Sequence, residues 1–481
     1  EILDQREHTI FLLAKTIFDL KEYMRCWHFL CNAQSPKSRF LKYYALYLAG
    51  EKRKEEETLE LAGGDGVDRT VQNGKLEEIY KDLQYLHTHG SMDAFLLYLY
   101  GLVLKGRDMK DEARQAFCAS VRAMPCLWAS WAELTALYNN VKDIPNEQLP
   151  DHWAKQFFYG MVFAELNRWE ESLQCYTQLS AIFPQSNNLK SRVAVAHYDL
   201  KEYDESAVEF EEVLECDPYQ LEYVDMYSNI LYVKGDKTAL STLAHRALTI
   251  DKFKPETNCI IGNYYSLKSQ HEKAVVYFRR ALRIDPNCLS AWTLMGHEFV
   301  ELKNTQAAID AYRHAVDISP RDYRAWYGLG QTYEILQLYY YALYYFRKAA
   351  NLRPLDSRMW CAMAGCYENL KRPGEAINCY QRAEVHGDDG IATSKLAQLY
   401  QEMKQPHKAA QYYAKFISLH AAEEPQESDR DALLFLANYY KQEGCLDHAE
   451  QCCIRLLNFP GPEKEDGKSI LQEIQAIRMS K

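Results

Sequence analysis

Apolar residues recur along most of this chain at intervals of three and four, the period of a helix with one buried face. Leu13, Ala14 and Ile17 form one such set, and Tyr44, Ala45 and Leu48 another. Leu76 to His87 reads as a further amphipathic helix, and Trp131, Leu134 and Tyr138 as one more, ahead of a loop with Pro145 and Pro150. From Ala94 onward helices come in pairs, and the pairs repeat. Pro184, Pro218, Pro286, Pro320 and Pro354 stand on a 34-residue grid that Lys252 alone interrupts. Trp292, Trp326 and Trp360 form a second row on that grid, and Gly262, Gly296 and Gly330 a third. Ala274, Ala308 and Ala342 follow, then Phe278, Tyr312, Phe346 and Tyr380.

Within one unit the order is Trp326, Leu329, Gly330, Tyr333, Ala342, Phe346, Ala349, Pro354. This is the tetratricopeptide repeat (TPR) pattern, a hairpin of helices A and B. Small residues at Gly330 and Ala342 let the two helices approach, and Pro354 ends helix B because proline cannot continue a helix interior. One hairpin cannot bury its own apolar face, whereas a stack can. The predicted fold is therefore all-α, a TPR solenoid wound as a right-handed superhelix. Units are expected to begin near Ala94, Trp153, Asn187, Leu221, Pro255, Leu289, Tyr323 and Ser357, with slipped units around Leu396 and Leu436. The unit at Leu221 is degenerate, with Ser228 and Leu240 at the small positions. A helix from Asp466 to Met479, with Ile470, Ile474 and Ile477 on one face, is expected to cap the stack. The expected division is into residues 1–152, weaker N-terminal repeats, and 153–481, the C-terminal superhelix with its cap. A charged stretch from Glu51 to Glu60 followed by Gly63-Gly64-Asp65-Gly66 reads as a flexible segment near 51–75.

Composition narrows the function. Of 481 residues, 56 are Lys or Arg and 67 are Asp or Glu, giving a net charge of −11, so no nucleic-acid footprint is indicated. No apolar run approaches the ~20 residues of a membrane helix, so no membrane partner is expected. The opening Glu-Ile-Leu-Asp-Gln-Arg-Glu-His does not read as a secretory signal and lacks Met, which suggests a trimmed chain. The 14 cysteines include no C-x-x-C pair, and Cys445, His448, Cys452 and Cys453 match no zinc module. They read as buried free thiols of a nuclear and cytoplasmic protein, with no metal and no cofactor. Catalytic signatures are absent. Gly461 to Ser469 resembles a phosphate loop but is one residue too long and sits among Glu463, Glu465 and Asp466. Tyr339–Tyr341 with Tyr344 and Tyr345 are expected to pack within the repeats.

What remains is the groove that A helices line. Here they offer Asn263-Tyr264-Tyr265-Ser266, His297 and Glu298, Gln331 and Glu334. Asn263 and Glu298 lie one repeat plus one residue apart, and an amide with a carboxylate can hold an arginine through charge-assisted hydrogen bonds. Tyr264, Trp292, Tyr327 and Tyr333 would support the walls, and the site would lie outside the solenoid core. The alternative reading as solvated helix positions stays open on periodicity alone. A TPR adaptor for chaperones would need a basic carboxylate clamp. Aligned on Asn263, the other clamp positions hold Cys259, Leu294, Arg324 and Gly328, and only Arg324 fits. A TPR arm of an enzyme is opposed by repeats that run nearly end to end.

From Asn258 to Tyr333 the chain reads I-G-N-Y-Y-S-L-K-S-Q-H-E-K-A, then A-W-T-L-M-G-H-E-F, then R-D-Y-R-A-W-Y-G-L-G-Q-T-Y. This resembles the TPR scaffold subunits of the anaphase-promoting complex (cyclosome), most of all those of the subunit-eight type. S-N-I-L-Y-V, L-A-H-R-A-L and F-L-L-Y-L-Y-G-L-V-L extend the likeness over most of the chain. The resemblance implies a non-catalytic scaffold in a cullin-RING ubiquitin ligase acting in mitosis. It implies homodimerisation through the N-terminal repeats, contacts with other subunits of that complex, and a groove that receives the arginine-bearing C-box peptide of a coactivator. On the family's G-N-x-x-S and G-H-E, Asn263 and Glu298 are the implied arginine ligands.

Overall fold

The computed structural model describes residues 2–62, 72–138, 144, 149–387, 390–419, 427–457 and 463–480. Its regular elements are helices. Four precede the regular repeats: α1 (Ile2–Asp19), α2 (Tyr23–Phe29), α3 (Pro36–Ala62) and α4 (Leu76–Thr88). A hairpin of α5 (Ala94–Gly106) and α6 (Lys110–Ala123) is followed by the single helix α7 (Trp128–Leu137). The next hairpins are α8 (Trp153–Glu165) with α9 (Trp169–Ile182), and α10 (Asn187–Leu200) with α11 (Tyr203–Cys216). Then come α12 (Val224–Lys234) with α13 (Lys237–Ile250), α14 (Pro255–Leu267) with α15 (His271–Ile284), and α16 (Leu289–Glu301) with α17 (Thr305–Ile318). The series continues through α18 (Tyr323–Ile335) with α19 (Tyr339–Leu352), and α20 (Ser357–Asn369) with α21 (Pro373–Val385). It ends with α22 (Ile391–Glu402) and α23 (Pro406–Leu419), α24 (Glu427–Gln442) and α25 (Leu446–Leu456), and a last helix, α26 (Glu463–Ser480).

Local chemistry sets the helix ends. Asp322 and Asp356 cap α18 and α20 by accepting the Arg324 and Arg358 amide N–H at 3.0 and 3.2 Å, which satisfies otherwise orphaned donors. Each A helix ends in a left-handed residue: Ser269, Lys303, Gln337 and Lys371 have φ of 57°, 59°, 60° and 56°. The two N–H groups at this turn bond back to the helix, as in Lys303 to Val300 O and Asn304 to Phe299 O, both 2.9 Å. That is the αL termination that turns the chain into helix B. At the other end of the unit, the Trp292, Trp326 and Trp360 indoles donate to the carbonyls of Pro286, Pro320 and Pro354 at 2.9, 2.9 and 2.8 Å. The proline and tryptophan rows of the grid are thus one hydrogen-bonded staple.

Packing within a hairpin is ring against backbone. A Cβ added to Gly296 would lie 2.5 Å from the Tyr312 ring, and one added to Gly330 would lie 2.5 Å from Phe346. Successive hairpins are clasped on their B side. Arg313 donates to the Tyr333 hydroxyl at 3.1 Å and Arg347 to that of Tyr367 at 3.5 Å. Tyr345 stacks on Tyr333 at 5.2 Å and Tyr341 stacks on it at 5.6 Å, yet Tyr341, like Tyr340 and Tyr344, stays more than half exposed.

The chain forms two compact units, residues 1–220 and 221–481. The sequence placed the division after 152. That position is spanned by packing, because Phe158 of α8 lies 5.2 Å from the Trp131 ring of α7 and 6.2 Å from Tyr138. The observed break falls at the degenerate unit, where α12 is short and Tyr223 before it is left-handed. The expected flexible segment also differs. Residues 51–60 continue α3, with ion pairs of Arg53 to Glu57 at 2.9 Å and Lys54 to Glu51 at 3.6 Å along the helix. Asn73, 5% exposed, is pinned to the Tyr47 carbonyl and to Glu51. Residues 63–71, Pro145, and residues 461 and 462 of the phosphate-loop-like stretch lie outside the described residues, while Gly467 to Ser469 lie within α26. In the expected cap, Ile470 and Ile474 are buried against Ala437, Ala449 and Cys453. The Ile477 side chain lies outside the described residues.

Candidate peptide-binding groove

The proposed arginine ligands stand on neighbouring A helices, Asn263 near the end of α14 and Glu298 near the end of α16. Both are buried, at 2% and 5% exposure, so they belong to the solenoid interior and not to a solvated face. A buried polar group is costly unless it is bonded, and each of these is bonded across repeats.

The Asn263 amide is oriented by a chain of donors. The Ser228 hydroxyl donates to the Asp225 carbonyl at 2.6 Å, so its oxygen is left to accept. Asn263 Nδ2 donates to that oxygen at 2.8 Å and to Asn229 Oδ1 at 2.7 Å. Both amide hydrogens are spent on α12, and Oδ1 remains an acceptor. Glu298 is held just as firmly. Its Oε1 accepts from the Ser266 hydroxyl at 2.6 Å and its Oε2 from His271 Nδ1 at 2.8 Å. Ser266 lies one turn beyond Asn263 on α14, which brings the amide and the carboxylate to one stretch of that helix. Each carboxylate oxygen keeps a second lone pair, so the arrangement can still accept a forked donor.

The other predicted residues are placed differently. His297 follows the same repeat position as Asn263, and its Nδ1 meets the Tyr312 hydroxyl at 2.8 Å. It keeps a solvent-facing edge, yet desolvation and then the Arg324 charge push its pKa down to about 4, so it is neutral near pH 7. Tyr264 turns toward Lys268, which bonds its hydroxyl and sits 4.3 Å over its ring, and toward Ser241 of the preceding B helix. Trp292 and Tyr333 also face B helices, stacking on His314 at 4.6 Å and on Tyr345, and so do not wall Asn263. Gln331 and Glu334 occupy the Asn263 and Ser266 positions two repeats on. Burial raises the Glu334 pKa, its charge acts on Tyr327 and Cys366, and its Oε1 lies 3.9 Å from where a Cβ on Gly365 would stand. One repeat position therefore carries Asn229, Asn263, His297, Gln331 and Gly365 in turn.

The sequence offered Ser266 to the groove without a role and named Ser228 only as a small position; Asn229 and His271 it did not single out. A signal existed for both: Asn229 precedes Asn263 by one repeat, and Ser266 precedes His271 around the turn that brings them to Glu298. Among the described residues no cluster of His, Cys, Asp or Glu is placed to hold a metal ion, and no helix is long and apolar enough to cross a membrane.

Comparison with known proteins adds to this geometry. A family model for Anaphase promoting complex subunit 8 / Cdc23 matches residues 1–194, and tetratricopeptide-repeat models match 255–288, 296–336, 357–384 and 394–421. The chain is 52% identical over 470 residues to anaphase-promoting complex subunit 8 of Arabidopsis thaliana, covering 97% of this chain and 81% of that protein. It is 46% identical to the subunit 8 of Dictyostelium discoideum, covering 98% and 88%. Among solved structures, the Cut9–Hcn1 hetero-tetramer superposes with a TM-score of 0.60 at 17% identity, covering 97% of this chain and 90% of that one, a likeness of fold.

Proposed function

The chain belongs to the anaphase-promoting complex subunit 8 / Cdc23 family, and on that premise we propose that it holds an arginine of a coactivator C-box segment between Asn263 and Glu298. It is a TPR scaffold subunit and not an enzyme. In this reading it serves a multisubunit cullin-RING ubiquitin ligase that controls mitotic progression, in nucleus and cytoplasm, and touches the other subunits of that complex. The observation that carries the groove assignment is the buried Glu298 carboxylate, which has no lysine or arginine partner among the described residues, beside an Asn263 amide fixed with its oxygen available. A desolvated carboxylate with lone pairs to spare favours a cation that brings its own planar fork of donors.

Homodimerisation is the second part of the proposal, and the N-terminal helices support it. Leu12, Leu13, Leu20 and Met24 are 48%, 47%, 69% and 47% exposed, an apolar stripe without cover on α1 and its turn into α2. Light scattering of the full chain should give twice 56.0 kDa. Because 152/153 cuts through packed aromatics, the informative fragment begins at Leu221 and should be monomeric. A dimeric fragment would place the interface elsewhere.

The groove is tested by calorimetric titration with a C-box peptide. Removing one member of a desolvated charge pair costs about 2–5 kcal/mol, so Glu298→Ala should weaken the peptide more than tenfold at 1.4 kcal/mol per tenfold. Glu298→Ala also strips the acceptor from Ser266 and His271, so it should lower the thermal melt. Glu298→Gln keeps an acceptor for Ser266 and the shape of the side chain, and should weaken binding less while melting near wild type. Undiminished binding by both variants would remove Glu298 from the site.

A further inference from the structure

Glu298 poses a charge problem before any ligand arrives. It is 5% exposed, and among the described residues the one basic group in contact with it is His271, whose Nδ1 lies 2.8 Å from Oε2. The two side chains differ in access, with His271 25% exposed and Glu298 7%. An arginine entering the pocket would bring a permanent charge to oxygens that this imidazole already serves. Two cations on one buried carboxylate repel each other, and the one that can discharge itself is the histidine.

We propose that His271 is the positioning residue of the arginine site and its resident cation, giving up a proton when a ligand guanidinium takes over Glu298. The imidazolium loses one proton to the buffer and keeps its Nδ1–H bond to Oε2, so the carboxylate stays oriented while its counter-charge is exchanged. Ser266 holds Oε1 throughout. Binding is then linked to pH: protons and guanidinium compete, and the complex tightens as pH rises. This rests on the arginine reading given above and adds to it the identity of the competing charge.

The surroundings isolate the effect. Histidine is the side chain that changes charge between about pH 5 and 8. The other histidine nearby, His297, is already neutral there, because desolvation and Arg324 hold it at about 4. From α17, Tyr312 faces Glu298 and is pushed upward, away from this window, first by burial and then by that carboxylate. From α12, the Tyr232 hydroxyl stands 3.4 Å from Ser266. On α14, burial and Tyr277 raise Tyr265, while Lys268 is turned onto the Tyr264 ring.

The test is titration calorimetry of the full chain with an end-capped C-box peptide free of histidine, in two buffers of different ionisation enthalpy, from pH 6 to 8. Wild type should release up to one proton per peptide, and its affinity should rise with pH by at most about tenfold per unit before levelling off. His271→Gln, which retains an N–H donor, should bind within a few-fold of wild type at pH 8, release no proton and show no slope. The proposal is overturned if wild type binds without proton release, or if His271→Gln releases as many protons as wild type. Should His271→Gln fail to fold, the wild-type proton count still decides. Glu298→Ala and Glu298→Gln together read the arginine site separately: wild-type affinity in both sinks the site itself, whereas weakened binding with a flat wild-type profile sinks only the role of His271.

Discussion

Replacing Gly296 by alanine should destabilise the second unit although alanine is the better helix former. The new Cβ would lie 2.5 Å from Tyr312 Cε1 and 2.7 Å from Cζ. The ring has no retreat, because a Cβ built at Gly328 of the next repeat would also lie 2.5 Å from Cζ. Tyr312 is therefore gripped between two glycines of consecutive A helices. Overpacking of this kind costs about 1–3 kcal/mol. Moving the ring also strains its 2.8 Å bond to His297, worth about 0.5–1.5 kcal/mol. Against this stands a propensity gain of about 1 kcal/mol. The net is a loss of about 0.5–3.5 kcal/mol, or roughly two- to 300-fold faster local opening at 1.4 kcal/mol per tenfold. Hydrogen exchange should show it in α15 to α18 and little beyond, because repeats couple chiefly to their neighbours. Gly365→Ala is the matched control. Its Cβ would meet only Glu334 Oε1 at 3.9 Å, so the same substitution should stabilise α20 by about 0.5–1 kcal/mol. Adding Tyr312→Leu to Gly296→Ala should recover part of the loss, a coupling that a double-mutant cycle measures. If Gly296→Ala and Gly365→Ala shift exchange in the same direction, ring-against-backbone packing is not what the glycine row is for.

Three further outcomes follow from the structure. His297 has a folded pKa of about 4, below the ~6.5 of an unfolded histidine, so the unfolded chain binds more protons between those values and stability falls as pH drops through that window; His297→Gln should flatten this part of a melt series from pH 7 to 4.5. Lys303 sits at φ 59°, where an L-residue costs about 1–2 kcal/mol, and glycine gives back about 0.5–1 in unfolded-chain entropy; Lys303→Gly should therefore raise the melt and slow exchange at the α16–α17 turn. Ile474, 1% exposed against Ala437 and Cys453, loses about 1.5–3 kcal/mol of burial in Ile474→Asp; limited proteolysis should then release α26 first and leave α18 to α21 resistant.

Much of the fold could be read from the sequence because the repeat writes each helix start several times over. Units expected at Ala94, Trp153, Asn187, Pro255, Leu289, Tyr323 and Ser357 begin where α5, α8, α10, α14, α16, α18 and α20 begin. Composition misled at Glu51 to Glu60. A run of charges reads as solvated linker unless its signs alternate at helical spacing, as Arg53 and Glu57 do. The compact units part at 220/221, whereas the loop with prolines before 153 reads as a boundary in sequence although Trp131 and Phe158 pack across it. For the groove, periodicity located Asn263 and Glu298 but gave no side-chain direction. Their satisfaction depends on the buried Ser228 and Ser266 and on the half-buried Asn229 and His271, and no row of the grid distinguishes an interior serine from an exposed one. The same blindness assigned Trp292 and Tyr333 to the groove when they face the B helices.

The position shared by Asn229, Asn263, His297, Gln331 and Gly365 behaves as the marks on a ruler, evenly spaced and each of a different shape. A peptide lying along the A helices can slide by one repeat and find nearly the same backbone beneath it. It does not find the same chemistry. An arginine displaced toward α16 meets His297, already committed to Tyr312 and flanked by the Arg324 charge. Displaced further, it reaches Gln331 and then the bare notch at Gly365. Displaced the other way, it reaches Asn229, a neutral amide whose oxygen already accepts from Asn263. If the arginine sits where we propose, the reading frame of an extended partner is set by where the near-identical repeats differ and not by what they share.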